Sequence, residues 1–254
     1  YGANTTFNSG NNVYGRNATA GSLYDFANYT SAPTFTIYDT GGSDTLDASG
    51  YAANQTINLN AEAFSSIGGI GNNIAIARGV IIEGAIGGNG ADSVLGNSHA
   101  NFLAGNAGAD TLDGSAGDDS LDGGAGNDRL IGGEGFDIAD YHSANEAVFL
   151  DLLSGAASGL EYGQDVLIGI EGAVGGQGSD SFMGDADNNM LIGNAGDDTL
   201  NGGMGADSLY GGAGNDLLIA DGLGGVYDSG EGDDVVLLGG TQLADILDPF
   251  AAWG

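Results

Sequence analysis

The chain has 254 residues, with 3 Lys or Arg against 35 Asp or Glu, a formal charge of −32, and no cysteine. Such a charge repels nucleic acid and anionic membrane surfaces, and the absence of cysteine excludes a disulfide framework. A hydrophobic content of 41% still permits a packed core, so the acidic charge must be neutralised by something bound as well as by solvent.

In chain order, residues 1–86 read as β-rich. Apolar positions alternate in Phe35 to Tyr38, Ile57 to Leu59 and Val80 to Ile82, broken by Gly/Asn turns. The opening from Tyr1 to Arg16 is polar, with no signal peptide, and no initiator Met is present, as expected of a processed or truncated product. No apolar run is long enough to span a bilayer.

Six nine-residue blocks follow, starting at Gly87, Gly96, Gly105, Gly114, Gly123 and Gly132, most of them reading Gly-Gly-x-Gly-x-Asp-x-(apolar)-x. Seven more start at Gly175, Gly184, Gly193, Gly202, Gly211, Ala220 and Ser229. So short a unit cannot bury its apolar residue alone, which predicts stacked coils. Position eight supplies the core: Val94, Leu103, Leu112, Leu121, Leu130 and Ala139, then Phe182, Leu191, Leu200, Leu209, Leu218, Tyr227 and Val236. The fold class expected is all-β, a right-handed parallel β-roll.

Between the arrays, residues 138–174 show Val148, Leu150 and Leu152 in alternation, then Val166, Ile168 and Ile170. Ile82-Glu83-Gly84-Ala85-Ile86-Gly87-Gly88 recurs as Ile170-Glu171-Gly172-Ala173-Val174-Gly175-Gly176, each time leading into an array. The expected organisation is therefore two tandem units: a β-rich module (1–86) with a β-roll (87–137), then a second module (138–174) with a second roll (175–237). Residues 238–254 would form a cap or the approach to a secretion signal.

Position six carries the chemistry: Asp92, Asp110, Asp119, Asp128 and Asp137, then Asp180, Asp198, Asp207, Asp216 and Asp234. With two blocks per coil, turns repeat on one face every eighteen residues. Asp92, Asp110 and Asp128 then form one column, Asp119 stacks with Asp137, and the second array aligns Asp180, Asp198, Asp216 and Asp234. Stacked carboxylates repel unless a cation lies between them, and an all-oxygen cage suits calcium above magnesium. Extracellular calcium sites work near about 10⁻⁴–10⁻³ M. Each one held at ten times its dissociation constant adds about 1.4 kcal/mol. Roughly eight or more such ions are expected to fold the chain outside the cell, where calcium is abundant.

The first unit contains Tyr1-Gly2-Ala3-Asn4-Thr5-Thr6, Val13-Tyr14-Gly15, Asp39-Thr40-Gly41-Gly42-Ser43-Asp44-Thr45-Leu46-Asp47, Asn54-Gln55-Thr56-Ile57-Asn58-Leu59-Asn60 and Ile74-Ala75-Ile76-Ala77-Arg78-Gly79-Val80. On these strings it resembles the C-terminal domain of serralysin-type secreted zinc metalloproteases. The resemblance covers roughly residues 1–135 and identifies the blocks with RTX repeats. It implies a calcium site outside the arrays, which here would use Asn8, Gly10 and Asn12 with Asp39, Gly41 and Asp44. Asn replaces the Arg and the Thr of the family's stretch, and a residue is added after Thr6. A second implied site takes Gly42, Asp44, the Ile81 carbonyl and Glu83. Internal repetition suggests a copy from Gly135, Asp137, the Gly169 carbonyl and Glu171.

Within the arrays the resemblance implies that one turn offers positions two, four and six, and the turn eighteen residues on offers positions one, three and six. In the first array these are Gly88, Gly90 and Asp92; Asn101; Gly105, Ala107, Gly108 and Asp110; and Gly114, Ala116, Gly117 and Asp119. Gly123, Gly124, Ala125, Gly126 and Asp128, and Gly132, Glu134, Gly135 and Asp137, complete it. In the second array they are Gly176, Gly178 and Asp180; Asn189; Gly193, Ala195, Gly196 and Asp198; and Gly202, Gly203, Met204, Gly205 and Asp207. Gly211, Gly212, Ala213, Gly214 and Asp216, then Glu231 and Asp234, follow. Weak or absent sites are expected where blocks degenerate: His99 and Asn101 in the block at Gly96, Asp187 and Asn189 in the block at Gly184, and Gly225 in the block at Ala220.

No catalytic centre is expected in this chain. His99 and His142 are its two histidines, whereas a catalytic zinc site takes three protein ligands, so no zinc is expected. There is neither a cysteine nucleophile nor a Gly-x-Ser-x-Gly elbow. Two readings follow. One is a non-catalytic module of a secreted metalloprotease, exported unfolded by type I secretion, with catalysis in an N-terminal protease domain. The other is a structural or adhesive protein that self-associates through calcium-dependent β-rolls into a surface layer, filament or matrix.

Overall fold

The computed structural model describes residues 8–21, 23–220 and 224–239, and the backbone of 241–244. The chain divides into two compact units, Tyr1–Asp137 and Ile138–Gly254. Among the described residues the only helical element is a 3-10 turn at Phe26–Asn28, opened by the Asp25 side chain, which accepts from the Ala27 N–H. No helix among them is long and apolar enough to cross a membrane.

The first unit contains β1 (Val13–Gly15), β2 (Phe35–Ile37), β3 (Thr45–Asp47), β4 (Thr56–Asn58), β5 (Phe64–Ile67), β6 (Ile70–Ile76), β7 (Gly84–Ile86), β8 (Ser93–Leu95), β9 (Phe102–Ala104), β10 (Thr111–Ala116), β11 (Ser120–Asp122) and β12 (Arg129–Glu134). One sheet runs β1-β3-β7-β9-β11 and the other β2-β6-β5-β4-β8-β10-β12. Within the array every pairing is parallel, with partners eighteen residues apart, as in Leu112 opposite Leu130 and Leu121 opposite Leu103. The predicted β-roll is therefore present, two blocks to a coil. Leu103, Leu112, Leu121 and Leu130 are fully buried, while the residues at positions seven and nine on either side are exposed or half-buried, the small Ala104 excepted.

The second unit contains β13 (Ile138–Asp140), β14 (Val148–Asp151), β15 (Ala156–Gly159), β16 (Gly163–Ile168), β17 (Gly172–Val174), β18 (Ser181–Met183), β19 (Met190–Ala195), β20 (Thr199–Asn201), β21 (Ser208–Ala213), β22 (Leu217–Ala220), β23 (Val226–Glu231), β24 (Val235–Leu238) and β25 (Thr241–Ala244). Its sheets run β13-β17-β19-β21-β23 and β16-β15-β14-β18-β20-β22-β24-β25. Phe182, Leu191, Leu200, Leu209 and Leu218 form its core, while Tyr227 and Val236 are half-buried.

Each array is entered the same way. β8 pairs in parallel with β4, and β4 begins an antiparallel meander through β5 and β6. β18 pairs in parallel with β14, and β14 begins the meander through β15 and β16.

Two sequence expectations need correction. Val80 and Ile82 are buried and Ile81 is exposed, as alternation predicts, but the segment forms no strand. Its chain instead turns back so that the Glu83 N–H reaches the Asp44 carbonyl. In β16 the phase is reversed: Leu167 is buried, whereas Val166 and Ile168 face solvent at 48% and 39% exposure. The buried face here includes Asp165, which accepts the Tyr141 hydroxyl at 2.9 Å. Gly169, at φ +59, then breaks the alternation before buried Ile170.

Candidate metal sites

Position-six Asp side chains are stacked in the predicted columns and, apart from the half-buried Asp234, are buried. The Asp92 N–H donates to Asp110 Oδ1 at 2.6 Å and the Asp110 N–H to Asp128 Oδ1 at 2.8 Å. The Asp119 N–H donates to Asp137 at 2.9 Å on the other face. In the second unit the ladder runs Asp180 to Asp198, Asp198 to Asp216 and Asp216 to Asp234, at 2.7, 2.8 and 2.9 Å. Non-array residues seed two columns, since the Gln55 and Val148 N–H groups donate to Asp92 and Asp180.

One oxygen of each carboxylate is thereby committed, and the other decides what the column can bind. In the first Asp of each long column it is satisfied locally: Asp92 Oδ2 accepts from the Gly88 N–H and Asp180 Oδ2 from the Gly176 N–H. Further along, Oδ2 of Asp110, Asp119, Asp198, Asp207 and Asp216 is buried with no hydrogen-bond partner. A buried polar atom without a partner costs on the order of 1–3 kcal/mol, and an anionic oxygen more. Burial accordingly pushes Asp110 and Asp119 up to about 6 and Asp198 to about 7. Each of these oxygens lies against the first glycine of its own block, where a Cβ on Gly114, for example, would collide with Asp119 Oδ2. In these five turns the donor set is one unpartnered carboxylate oxygen among backbone carbonyls, all hard oxygen, and it fits a calcium ion.

Carbonyls at positions two and three take part in turn-to-turn contacts. The Gly88 and Gly176 carbonyls accept the Ala107 and Ala195 N–H, and those of Ala125, Ala213, Glu134 and Glu231 accept the position-four N–H of the preceding coil. Each keeps a second lone pair for a cation. Gly214 shows why position four is glycine: its φ is +141 and a Cβ would strike the Gly196 carbonyl beneath it.

Asparagine changes the site. Asn101 and Asn189 hold the column, their N–H groups donating to Asp119 and Asp207 at 2.7 and 3.0 Å. Their Oδ1 atoms accept from Asn97 and Asp185 N–H, and their Nδ2 groups donate to the Glu83 and Glu171 carbonyls at 3.2 Å. A neutral N–H donor thus faces a carbonyl where Asp would present a bare oxygen.

The candidate residues outside the arrays also converge in the first unit. Asp39 Oδ1 accepts the Gly41 N–H, and its Oδ2 accepts the Tyr14 hydroxyl and, at 3.4 Å, Asn12 Nδ2. Asn12 Nδ2 also donates to the Gly10 carbonyl, and Asn8 Nδ2 donates to Tyr14 at 3.1 Å. Asp44 Oδ1 takes the Asn12 N–H, Glu83 takes the Asp44 N–H at 2.8 Å, and Asp44 Oδ2 is buried without a partner. Burial, reinforced by the charges of Asp39 and Glu83, raises Asp44 to about 6. A Cβ on Gly42 would collide with the Gly10 carbonyl, so the two loops touch through backbone. Tyr14 joins this cluster without being one of the candidates that the sequence supplies. It is fully buried, and desolvation together with the Asp39 hydrogen bond raises its hydroxyl far above the ordinary range. Of the suggested copy, Gly135 and Asp137 belong to the first unit and Gly169 and Glu171 to the second.

Among the described residues, no group of three or more His, Cys, Asp or Glu side chains converges as a metal cluster. Any cation in these turns therefore depends on carbonyls as much as on carboxylates. His99 Nδ1 lies 3.3 Å from Asn97 Oδ1, and His142 pairs with Asp140 at 2.8 Å.

The peptidase M10 serralysin C-terminal family matches residues 3–160, and the RTX calcium-binding nonapeptide repeat matches residues 174–209 and 192–222. Serralysin B of Dickeya chrysanthemi is 50% identical over 96 residues, which is 37% of this chain and 20% of that protein. A serralysin of Photorhabdus luminescens is 48% identical and Metalloprotease AprA of Pseudomonas entomophila 46% identical, each over 96 residues, again 37% of this chain and 20% of the relative. The chain thus spans about a fifth of the length of these curated relatives.

Proposed function

The chain belongs to the peptidase M10 serralysin C-terminal family and carries RTX calcium-binding repeats, and from that premise we propose that it is the non-catalytic, calcium-folded part of a serralysin-like metalloprotease. In this reading it leaves the cell unfolded by type I secretion, binds calcium outside, and folds there, while zinc chemistry resides in an N-terminal protease domain.

The observation that carries the proposal is the set of buried Oδ2 atoms without partners, spaced eighteen residues apart in Asp198 and Asp216 and present also in Asp110, Asp119 and Asp207. Without a cation these carboxylates oppose the fold that buries them. With one, each joins two coils. The residues that would hold calcium are these Asp side chains with the carbonyls of their own and neighbouring turns. Bound calcium supplies positive charge and no chemistry of bond cleavage. Asp44, Glu83 and the loops of Asn8 to Asn12 and Asp39 to Gly42 would hold further ions at the entrance to the first array.

Circular dichroism during a calcium titration tests this. Strand signal should rise cooperatively with calcium in the range of extracellular sites, about 10⁻⁴–10⁻³ M, and fall on adding EGTA. Strand signal indifferent to excess EGTA would sink the reading.

A further inference from the structure

Along every column the N–H at position six is capped by the side chain eighteen residues on, as in Asp92 and Asp110 of the first unit and Asp198 and Asp216 of the second. Asp207 departs from this pattern, because the residue eighteen positions further is Gly225. In the same block, position eight carries Tyr227, where the other blocks carry Leu, Val, Ala or Phe.

The two exchanges are one event in space. A Cβ on Gly225 would overlap the Tyr227 hydroxyl and also strike the Asp207 carbonyl. A carboxylate at 225 therefore needs the phenol displaced and, in addition, a shift of the coil away from the Asp207 carbonyl. The coil has not slipped: Leu209 stays opposite Tyr227, and the Val226 N–H donates to the Asp207 carbonyl at 2.8 Å. The Tyr227 oxygen is buried and has no partner among the described residues, and Asp207 Oδ2 in the same column is in the same condition.

We propose that Tyr227 is the terminal cap of the Asn189–Asp207 column. Its phenol fills the volume of the missing carboxylate and ends the calcium ladder on that face, while the opposite face continues through Asp216 to Asp234. The cap rests on the calcium reading above. A phenol is neutral at physiological pH and both donates and accepts. Its oxygen has no partner where it stands and would turn toward the Asp207 N–H to take the place of the absent carboxylate, adding no charge at the end of an acidic column. A carboxylate in its place would demand one more cation at the end of the column.

Native mass spectrometry of the 254-residue chain in saturating calcium, with amide exchange at Asp207, tests the cap. Gly225→Asp with Tyr227→Leu should bind one calcium more than the unaltered chain, and Gly225→Asp alone should not. Tyr227→Phe should keep the ion count and exchange the Asp207 amide roughly tenfold faster, the equivalent of one lost hydrogen bond. An extra ion with Gly225→Asp alone would overturn the proposal. So would a double variant with unaltered circular dichroism and no extra ion, or unchanged exchange in Tyr227→Phe. If the double variant does not fold, the exchange result decides. If the unaltered chain binds no calcium, the function proposed above falls, and the Tyr227→Phe exchange still tests the cap.

Discussion

The two units enter their arrays with the same three-strand meander and the same Ile-Glu-Gly-Ala lead-in, yet they anchor it differently. In the first, Tyr14 donates to Asp39 in a cluster that includes Asp44, Glu83 and the Asn-rich turn of Asn8 to Asn12. In the second, Tyr141 donates to Asp165, which sits on the meander itself. Both tyrosines stack edge-on against another tyrosine with centroids 5.0 Å apart, Tyr24 in the first unit and Tyr162 in the second. The shared element is thus a buried Tyr–carboxylate pair that fixes the first coil. The difference is that the first entrance adds the buried, unpartnered Oδ2 of Asp44, which has no counterpart among the described residues of the second entrance, so the first entrance should depend more on calcium.

The largest effect that would sharpen this comparison comes from the middle of the ladders. Asp110→Ala and Asp198→Ala each remove a carboxylate that lies between two others, at a cost of two ions and about 3 kcal/mol if each is held at ten times its dissociation constant. Calcium titrations followed by hydrogen exchange should show the loss confined to the unit that carries the substitution. Loss spread equally over both units would mean that an ion ladder does not act on its own unit alone. Asp234→Ala, at the end of its column, should cost about half as much.

Next in size, Tyr14→Phe and Tyr141→Phe each strip a hydrogen bond from a buried carboxylate, worth about 1–3 kcal/mol. Thermal melts at saturating calcium should place both losses in that range. At limiting calcium Tyr14→Phe should be the more severe, because Asp39 stands in the acidic cluster. Equal losses at every calcium concentration would argue that the two entrances are equivalent.

The period of nine makes the core and the columns legible from the residues alone, because one apolar residue and one Asp recur at fixed offsets and stacking leaves them a single arrangement. The entrances are less legible. Nothing near Asp165 in sequence announces that it faces inward, since its partner Tyr141 lies 24 residues away. That one buried pair sets the phase of β16 and turns Val166 and Ile168 outward. Asn101 and Asn189 read as degenerate positions, but the direction of their amides does not follow from the repeat. It depends on the Glu83 and Glu171 carbonyls that belong to the preceding coil. Tyr14 lies inside a recognisable string and still carries no sign of its role there, because only burial turns a phenol into a partner for Asp39.

A smaller effect should follow from restoring the carboxylate at those degenerate turns. Asn101→Asp and Asn189→Asp exchange a donor for a bare oxygen, so each should add one calcium in native mass spectrometry and lower stability in EGTA. A variant that gains no ion would mean that the Glu83 or Glu171 carbonyl opposite cannot turn toward a cation.

The smallest effect is a pH dependence whose sign reverses with calcium. In the calcium-free fold, burial raises Asp110 to about 6 and Asp198 to about 7, above an ordinary value of 3.8. A raised folded-state pKa means that the folded form holds the proton more tightly. Its contribution to stability is complete below the unfolded value and is lost as pH climbs through 6 to 7. In EGTA, strand signal should therefore recover as pH falls from about 8 toward about 5, with the second unit keeping its structure to a higher pH than the first. In calcium, the same fall in pH should weaken the fold, because protons then compete with the ion for the same oxygens. Parallel melts in the two conditions would check it, and a common sign would mean that the buried oxygens are not where calcium binds.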